Sequence, residues 1–299
     1  MKDSVWINGQ VVPRNQAHLD IEDRGYQFAD GVYEVIRVYN NKPFTLDEHL
    51  QRLECSASGI KLTVPHRERL ADEIRAFITS SRLSDAYLYL QLTRGVSPRN
   101  HRFPEQQNPN VLFYIVPLPP APIPEETDGT KLLALTDERW KRCWIKSIGL
   151  IANVLAKNEA MDAGCDEAVF INDGIVNECS TSNLFIVSNR KLITHPIGEK
   201  VLPGITRLVV LEIARSLGIE VEERGYTEVE ALTADELFIT STTRELAWVS
   251  HWNDQTVGGA HCGPITMKLH QAFRDRVRAE TEIAATRANR PAARNRSAA

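Results

Sequence analysis

No apolar run in the chain is long enough to cross a bilayer, and its first residues, with Lys2, Asp3 and Asn8, lack the apolar stretch of a secretion signal. The expectation is therefore a cytoplasmic protein with neither signal peptide nor transmembrane helix. Charge of one sign is not in excess either. A net charge of −4 gives no reason to expect nucleic acid or a membrane as partner. Cysteine is sparse: Cys55, Cys143, Cys165, Cys179 and Cys262 are odd in number and form no C-x-x-C pair. They are expected to be reduced thiols, which excludes a disulfide frame and argues against a zinc or other metal site. No repeat of fixed period occurs. The remainder is ordinary globular composition, 42% apolar and 25% charged, and 299 residues exceed one core, so two domains are expected.

Along the chain, Val5-Trp6-Ile7, Asn8-Gly9 and Val11-Val12 predict a hairpin with a two-residue turn. Gly31 to Tyr39 predicts a strand with Val32, Glu34, Ile36 and Val38 on one face, followed by a turn at Asn40-Asn41. Thr45 and Glu48 form a capping-box signature for a helix carrying Leu50, Leu53 and Ala57, with Arg52 beside them. A second helix from about Arg67, and strands over Tyr87–Thr93 and Val111–Val116, complete the first half. Residues 117–129 are rich in proline and predict a stiff linker between domain 1–116 and domain 130–285. The second half predicts a strand at Leu132–Leu135, a helix over Ala152–Ala163, hairpins about Asp173-Gly174 and Asn189-Arg190, and a helix after Pro203-Gly204. A strand at Leu237–Ile239 and a helix with Leu269, Phe273 and Val277 follow, and residues 286–299 predict a disordered Arg/Ala tail.

One stretch carries an oddity. Lys146 stands among Trp144, Ile145, Ile148, Leu150 and Ile151. Apolar surroundings disfavour an ammonium, and a neutral amine can attack a carbonyl to form a Schiff base. A lysine snorkelling out of a half-buried strand fits the same residues. Other segments supply what an amine-bound pyridoxal phosphate needs. Glu178, at a strand end before Cys179-Ser180-Thr181-Ser182-Asn183, is a candidate acid for the ring nitrogen. Gly204-Ile205-Thr206 opens a helix whose free N–H groups suit a phosphate, with Ser241, Thr242 and Arg52 as further candidates. Singly, each also fits an ordinary solvated role; the reading rests on their conjunction.

Four ordered motifs make the resemblance specific. Asp23-Arg24-Gly25-Tyr26-Gln27-Phe28-Ala29-Asp30-Gly31-Val32-Tyr33-Glu34-Val35 resembles the opening motif of class IV (fold-type IV) pyridoxal-phosphate aminotransferases. Arg142–Ser147 resembles their lysine motif, Leu202–Arg207 their phosphate-binding helix start, and Asp235–Thr243 their last cofactor loop. The likeness runs from about Val5 to about Phe273. Thr93-Arg94-Gly95-Val96-Ser97-Pro98-Arg99-Asn100-His101-Arg102-Phe103-Pro104 resembles the substrate-carboxylate motif of the D-amino acid branch, in which an Arg-x-His pair reaches the other subunit's site.

The resemblance implies a two-domain α/β fold, mixed in its α and β parts, with the cofactor pyridoxal 5′-phosphate between a small N-terminal and a larger C-terminal domain. It implies Lys146 as the catalytic amine, Glu178, Arg52, Ser180, Ile205, Thr206, Ser241 and Thr242 as cofactor-binding residues, and Tyr33, Arg99 and His101 as holders of the substrate carboxylate. The implied activity is ping-pong transamination between a D-amino acid of the D-alanine type and 2-oxoglutarate or pyruvate, by a homodimer. Branched-chain L-amino acid aminotransferase is the nearest rival, with aminodeoxychorismate lyase and (R)-amine transaminase further off. A non-catalytic carrier of the cofactor is the reading from another class. Departures from the family pattern are Cys179 and Ala29 in place of glycines and Trp144 in place of an acid. Cys179 implies a position with no need of positive φ, and Trp144 implies altered packing behind the lysine.

Overall fold

A computed structural model describes residues 3–288 of the chain. Strands β1 (Ser4–Ile7), β2 (Gln10–Pro13), β3 (Gly31–Tyr39), β4 (Lys42–Pro43), β5 (Ala86–Thr93) and β6 (Asn110–Pro117) form an antiparallel sheet in the order β2-β1-β6-β5-β3-β4. Its tight turns take left-handed backbone at Asn8 (φ 49°), Gly9 (φ 91°), Asn40 (φ 50°) and Asn41 (φ 60°), which matches the twist of the strands they join. A short helix α1 (Arg24–Phe28) precedes β3, and α2 (Leu46–Gly59) and α3 (Arg67–Ser81) cover one face of the sheet. Leu50, Leu53 and Ala57 of α2 and Leu70, Ile74, Phe77 and Ile78 of α3 meet Val32, Ile36, Val38, Leu88, Leu90 and Leu92. Each such fully buried Leu or Ile contributes about 1.5–3 kcal/mol. The expected capping box at Thr45 does not form. Thr45 is left-handed (φ 51°), and its hydroxyl donates to the Phe44 carbonyl instead of accepting from the helix.

The second sheet has nine strands: β7 (Thr130–Thr136), β8 (Glu167–Asn172), β9 (Ile175–Cys179), β10 (Asn183–Ser188), β11 (Lys191–Thr194), β12 (Val221–Glu223), β13 (Glu236–Ser241), β14 (Glu245–Trp252) and β15 (Gln255–Thr256). The order is β12-β11-β10-β13-β14-β7-β8-β9, with β15 beside β14. Helix α4 (Ile151–Asp162) follows the lysine stretch, α5 (Ile205–Ser216) follows Gly204, and α6 (Glu228–Leu232) opens on a capping box of Thr227 and Glu230. Helix α7 (Pro264–Ala288) packs with α5 over β10 and β13, and Tyr39 and Phe44 from the first half join that core. The helix runs three residues beyond the predicted end at 285; residues 289–299 lie outside the described residues.

Strand β14 escapes the sequence reading because it is buried on both faces yet carries Glu245 and His251, so neither alternation nor an apolar run marks it. The proline-rich segment is not free. It makes a 3-10 turn at Pro124–Glu126, and the Trp248 indole of β14 donates to the Pro124 carbonyl at 2.8 Å and to the Thr127 hydroxyl at 3.0 Å. Among the described residues no helix is long and apolar enough to cross a membrane. All five cysteines are free thiols.

The lysine stretch is a turn, not a strand, and Ile145, Leu150 and Ile151 line the same cavity as the amine. Ile145 (3% exposed) and Trp144 also pack into the core under the first sheet, while Ile151 is 72% exposed. Gly59 at the end of α2 makes room for them. A Cβ there would lie 2.6 Å from Trp144 Cη2 and 2.7 Å from Ile145 Cδ1. Gly59→Val should therefore destabilise the protein by about 1–3 kcal/mol through overpacking. Urea denaturation measures this, and an unchanged midpoint would refute the close packing of the lysine turn on α2.

Candidate active site

Three hydrogen bonds of its backbone hold the Lys146 turn against β3 and α2. The Tyr33 N–H donates to the Lys146 carbonyl (3.0 Å), Ile148 N–H donates to the Gly31 carbonyl (3.1 Å), and Lys146 N–H donates to Ser56 Oγ of α2 (3.0 Å). The turn thus borrows the edge of β3, and Lys146 Nζ comes to 4.2 Å from the centre of the Tyr33 ring. Both side chains line a cavity of about 520 Å³.

Beneath that cavity a carboxylate sits where β3 alternation calls for an apolar residue. Glu34 is fully buried and takes both arms of the Arg52 guanidinium, Nε to Oε1 at 2.8 Å and Nη2 to Oε2 at 2.7 Å, with His49 Nδ1 2.7 Å from Oε2. Burial alone would raise the Glu34 carboxyl, but the Arg52 charge and hydrogen bonds, then His49, hold it down to about 2. Burial pushes the His49 imidazole down, against the pull of Glu34. Arg52 is thereby aimed across the cavity, where Nη1 donates to the Pro203 carbonyl (2.9 Å) ahead of α5.

Glu178, one residue before the end of β9, lines the same cavity. Arg139 Nη1 donates to its Oε1 (2.6 Å), and Asn183 Nδ2 (2.9 Å) and the Leu202 N–H (3.0 Å) donate to Oε2. The guanidinium is shared: Nε and Nη2 of Arg139 grip Asp137 at 3.0 and 2.9 Å, and its plane lies 4.3 Å from the Phe170 ring. Asp137, also held by Asn177 (2.8 Å), keeps its carboxyl below the ordinary range because these bonds outweigh its burial. Two buried carboxylates thus draw on one cation. Asp137 takes the bidentate pairing, so burial wins at Glu178 and pushes it up to about 7 despite Arg139. A positive group placed beside Glu178 would complete the charge balance.

The same cavity holds an anion cradle. Helix α5, 12 residues long, starts after Gly204 with no side-chain cap on its first N–H groups, and Thr206 faces the cavity. Gly204 is required by a close approach, since a Cβ would lie 2.0 Å from Asn183 Oδ1. Ser182 Oγ and Thr240 Oγ1 are buried in the cavity wall with no hydrogen-bond partner among the described residues. The 180–182 loop is fixed from outside: the Thr181 N–H and hydroxyl donate to buried Glu167 of β8 (2.6 and 2.7 Å), and Asn153 of α4 donates to the Ser180 carbonyl (2.8 Å). A phosphorylated pyridine fits these residues. The orphaned hydroxyls, the uncapped helix start and Arg52 suit a phosphate, and the charge-deficient Glu178 suits a protonated ring nitrogen.

Lys146, Glu178, Arg52, Ser180, Ile205, Thr206, Ser241, Thr242 and Tyr33 all line this one cavity. Arg99 and His101 do not. They are exposed on the loop after β5, where the Arg99 guanidinium is 4.9 Å and the His101 ring 5.3 Å from the Phe28 ring. The sequence reading missed the partners Glu34, His49, Arg139, Asp137, Asn183 and Glu167. Glu34 carried a signal, a lone acid on the inward face of an otherwise apolar strand; Arg139 and Asp137 carried none, since nothing in their spacing shows that they meet Glu178.

Residues 31–252 match the family described as Amino-transferase class IV. A D-alanine aminotransferase of Bacillus licheniformis is 41% identical over 278 residues, 93% of this chain and 98% of the relative. One of Listeria monocytogenes serotype 4b is 42% identical over 272 residues, 90% of this chain and 94% of the relative. A crystal structure of the T.th. branched-chain amino acid aminotransferase with pyridoxamine 5′-phosphate superposes with a TM-score of 0.86 at 28% identity, covering 94% of this chain and 97% of that one. Sharing this sequence over nearly its whole length and both sheets of the fold, the chain belongs to the class IV aminotransferases.

Proposed function

We propose that the chain is a pyridoxal-phosphate transaminase that moves the amino group of a D-amino acid, of the D-alanine type, to a 2-oxo acid such as 2-oxoglutarate or pyruvate. The observation that carries this is the cavity itself, where Lys146 faces Tyr33 on one side and Glu178 and the α5 start complete the wall. When bound, pyridoxal phosphate supplies an aldehyde and a ring that accepts electrons from the substrate Cα. Arg52, Ile205, Thr206, Ser241 and Thr242 hold its phosphate, and Ser180 and its loop flank it. Glu178, with Arg139 behind it, keeps a proton on the ring nitrogen. Lys146 would hold the cofactor aldehyde through its amine and would serve as the base for the proton on the substrate Cα. The donor leaves as a 2-oxo acid before the acceptor enters, a ping-pong order.

Arg99 and His101, with Tyr33, grip the substrate carboxylate. A guanidinium matches a carboxylate with two parallel bonds, and holding that group on one side selects the enantiomer that offers its hydrogen to Lys146. Because both residues lie outside the cavity of their own chain, we assign them to the site of a second copy in a cytoplasmic homodimer. Residues 1–116 and 130–285 are its two domains, joined through 117–129. The D-specific reading is supported over a branched-chain L-amino acid aminotransferase by the 41–42% identity to D-alanine aminotransferases, against 28% to the branched-chain enzyme.

The deciding experiment adds D-alanine, then L-isoleucine, to the cofactor-loaded protein and follows its visible absorbance. D-Alanine bleaches it and L-isoleucine does not; bleaching by L-isoleucine alone would make this a branched-chain enzyme, and none by any amine a carrier. Lys146→Ala should lose the absorbance that borohydride traps on the chain, and a normal spectrum in that variant would remove Lys146 from its role. Glu178 gives a pH signature in cofactor-free protein. Its folded pKa, about 7, lies above the unfolded value of 4.5, so its contribution to stability is present below about 4.5 and lost as pH rises towards 7. Denaturation midpoints of Glu178→Gln should therefore gain on the parent across that window, and parallel curves would contradict the raised carboxyl.

A further inference from the structure

Arg24 is 3% exposed although it opens a short surface helix, and its bonds run to the loop that carries Arg99 and His101. Its Nη1 donates to the Asn100 carbonyl and, at 3.5 Å, to the Arg102 carbonyl, the two peptide oxygens that bracket His101. Its backbone N–H donates to the Gly95 carbonyl (3.0 Å) where that loop begins. Nε donates to Asp30 Oδ2 (2.9 Å), and the same carboxylate takes a bidentate pair from Arg94, Nε to Oδ2 at 2.8 Å and Nη2 to Oδ1 at 2.9 Å. Arg94, itself 1% exposed, lies 3.8 Å from the centre of the Phe103 ring and donates to the Ile60 and Lys61 carbonyls (2.7 and 3.0 Å).

Burying two guanidinium groups around one carboxylate is costly, and a hydrophobic filling of similar volume would serve stability as well. What such a filling could not do is hold loop carbonyls at fixed points. The bonds of Arg24 end on the backbone on either side of His101, and Phe103 pins the far end of the same loop through Arg94. The loop has no regular secondary structure to stiffen it, and a carboxylate clamp that must meet its ligand in one geometry gains from rigidity set in advance.

We propose that Arg24 is a positioning residue for the substrate-carboxylate clamp, acting through the Asn100 and Arg102 carbonyls, with Asp30, Arg94 and Phe103 as its support. This rests on the reading of Arg99 and His101 as carboxylate ligands. Arg24 touches no substrate; it sets where Arg99 and His101 stand.

The test uses the cofactor-loaded, full-length protein and compares kcat/KM for D-alanine with that for an amine lacking a carboxylate. Arg24→Met should raise the KM for D-alanine by roughly tenfold or more, the range for losing hydrogen bonds from a charged group, and should lower the D-alanine to amine ratio. Arg24→Lys, which keeps the charge beside Asp30, should recover part of the loss. Phe103→Leu leaves the buried ion pairs intact and should move the ratio the same way, so it decides the matter if Arg24→Met does not fold. Arg99→Ala is run in parallel. If Arg99→Ala lowers the ratio while Arg24→Met or Phe103→Leu leaves it unchanged, or lowers both substrates equally, the positioning role is wrong and the clamp stands. If Arg99→Ala itself leaves the ratio unchanged, the clamp reading falls and the role of Arg24 with it.

Discussion

A single buried ion pair, Glu34 with Arg52, ties together the pieces from which the cavity is made. Glu34 belongs to β3, Arg52 to α2, and the remaining arm of the guanidinium reaches the carbonyl before α5. A charge left unpaired at that depth would cost several kcal/mol, so the three elements keep one relative placement. The turn bearing Lys146 depends on the same two elements, since β3 and α2 supply its backbone partners. A lysine in an otherwise irregular stretch acquires a fixed address because its neighbours on both sides are rigid.

The cavity wall carries charge demands of both signs. Near α5 the wall offers an anion a bare helix start and Arg52, and the same cavity holds the Ser182 and Thr240 hydroxyls, unpartnered among the described residues. Near β9 it offers more negative charge than Arg139 alone can balance, because Asp137 claims two of that guanidinium's arms. A ligand that is anionic at one end and protonated at the other meets both demands in only one orientation. The Asp30–Arg24–Arg94 cluster repeats the device in mirror sense, with two cations about one carboxylate, and serves the outer loop rather than the cavity.

The departures from the family pattern have separate physical outcomes. Cys179 is a buried strand residue and is not among the left-handed positions, so a side chain is tolerated there. Ala29 does stand in left-handed backbone (φ 53°) as the C-cap of α1, where a Cβ costs roughly 1–2 kcal/mol that a glycine would not. Trp144 packs against Gly59 at the end of α2 and is not among the residues that line the cavity.

Local chemistry made much of this readable from residues alone. Turns with Asn or Gly pairs, the alternation of β3 and β5, the apolar stripes of α2 and α3, and the helix start at Gly204 each depend on near neighbours in the chain. The motif residues that line the cavity were legible through their conjunction and their resemblance to family motifs, since each by type alone also fits an ordinary role. Folding alone supplied the rest, since it concerns groups brought together from far apart: Arg139 to Glu178 across 39 positions, Arg52 to Pro203 across 151, Arg24 to Asn100 across 76. Strand β14, buried on both faces despite its charged residues, was invisible for the same reason, because its partners β7 and β13 and not its own pattern make it a strand. Type and period travel with the sequence, whereas pairing between distant charges exists only once the chain has closed on itself.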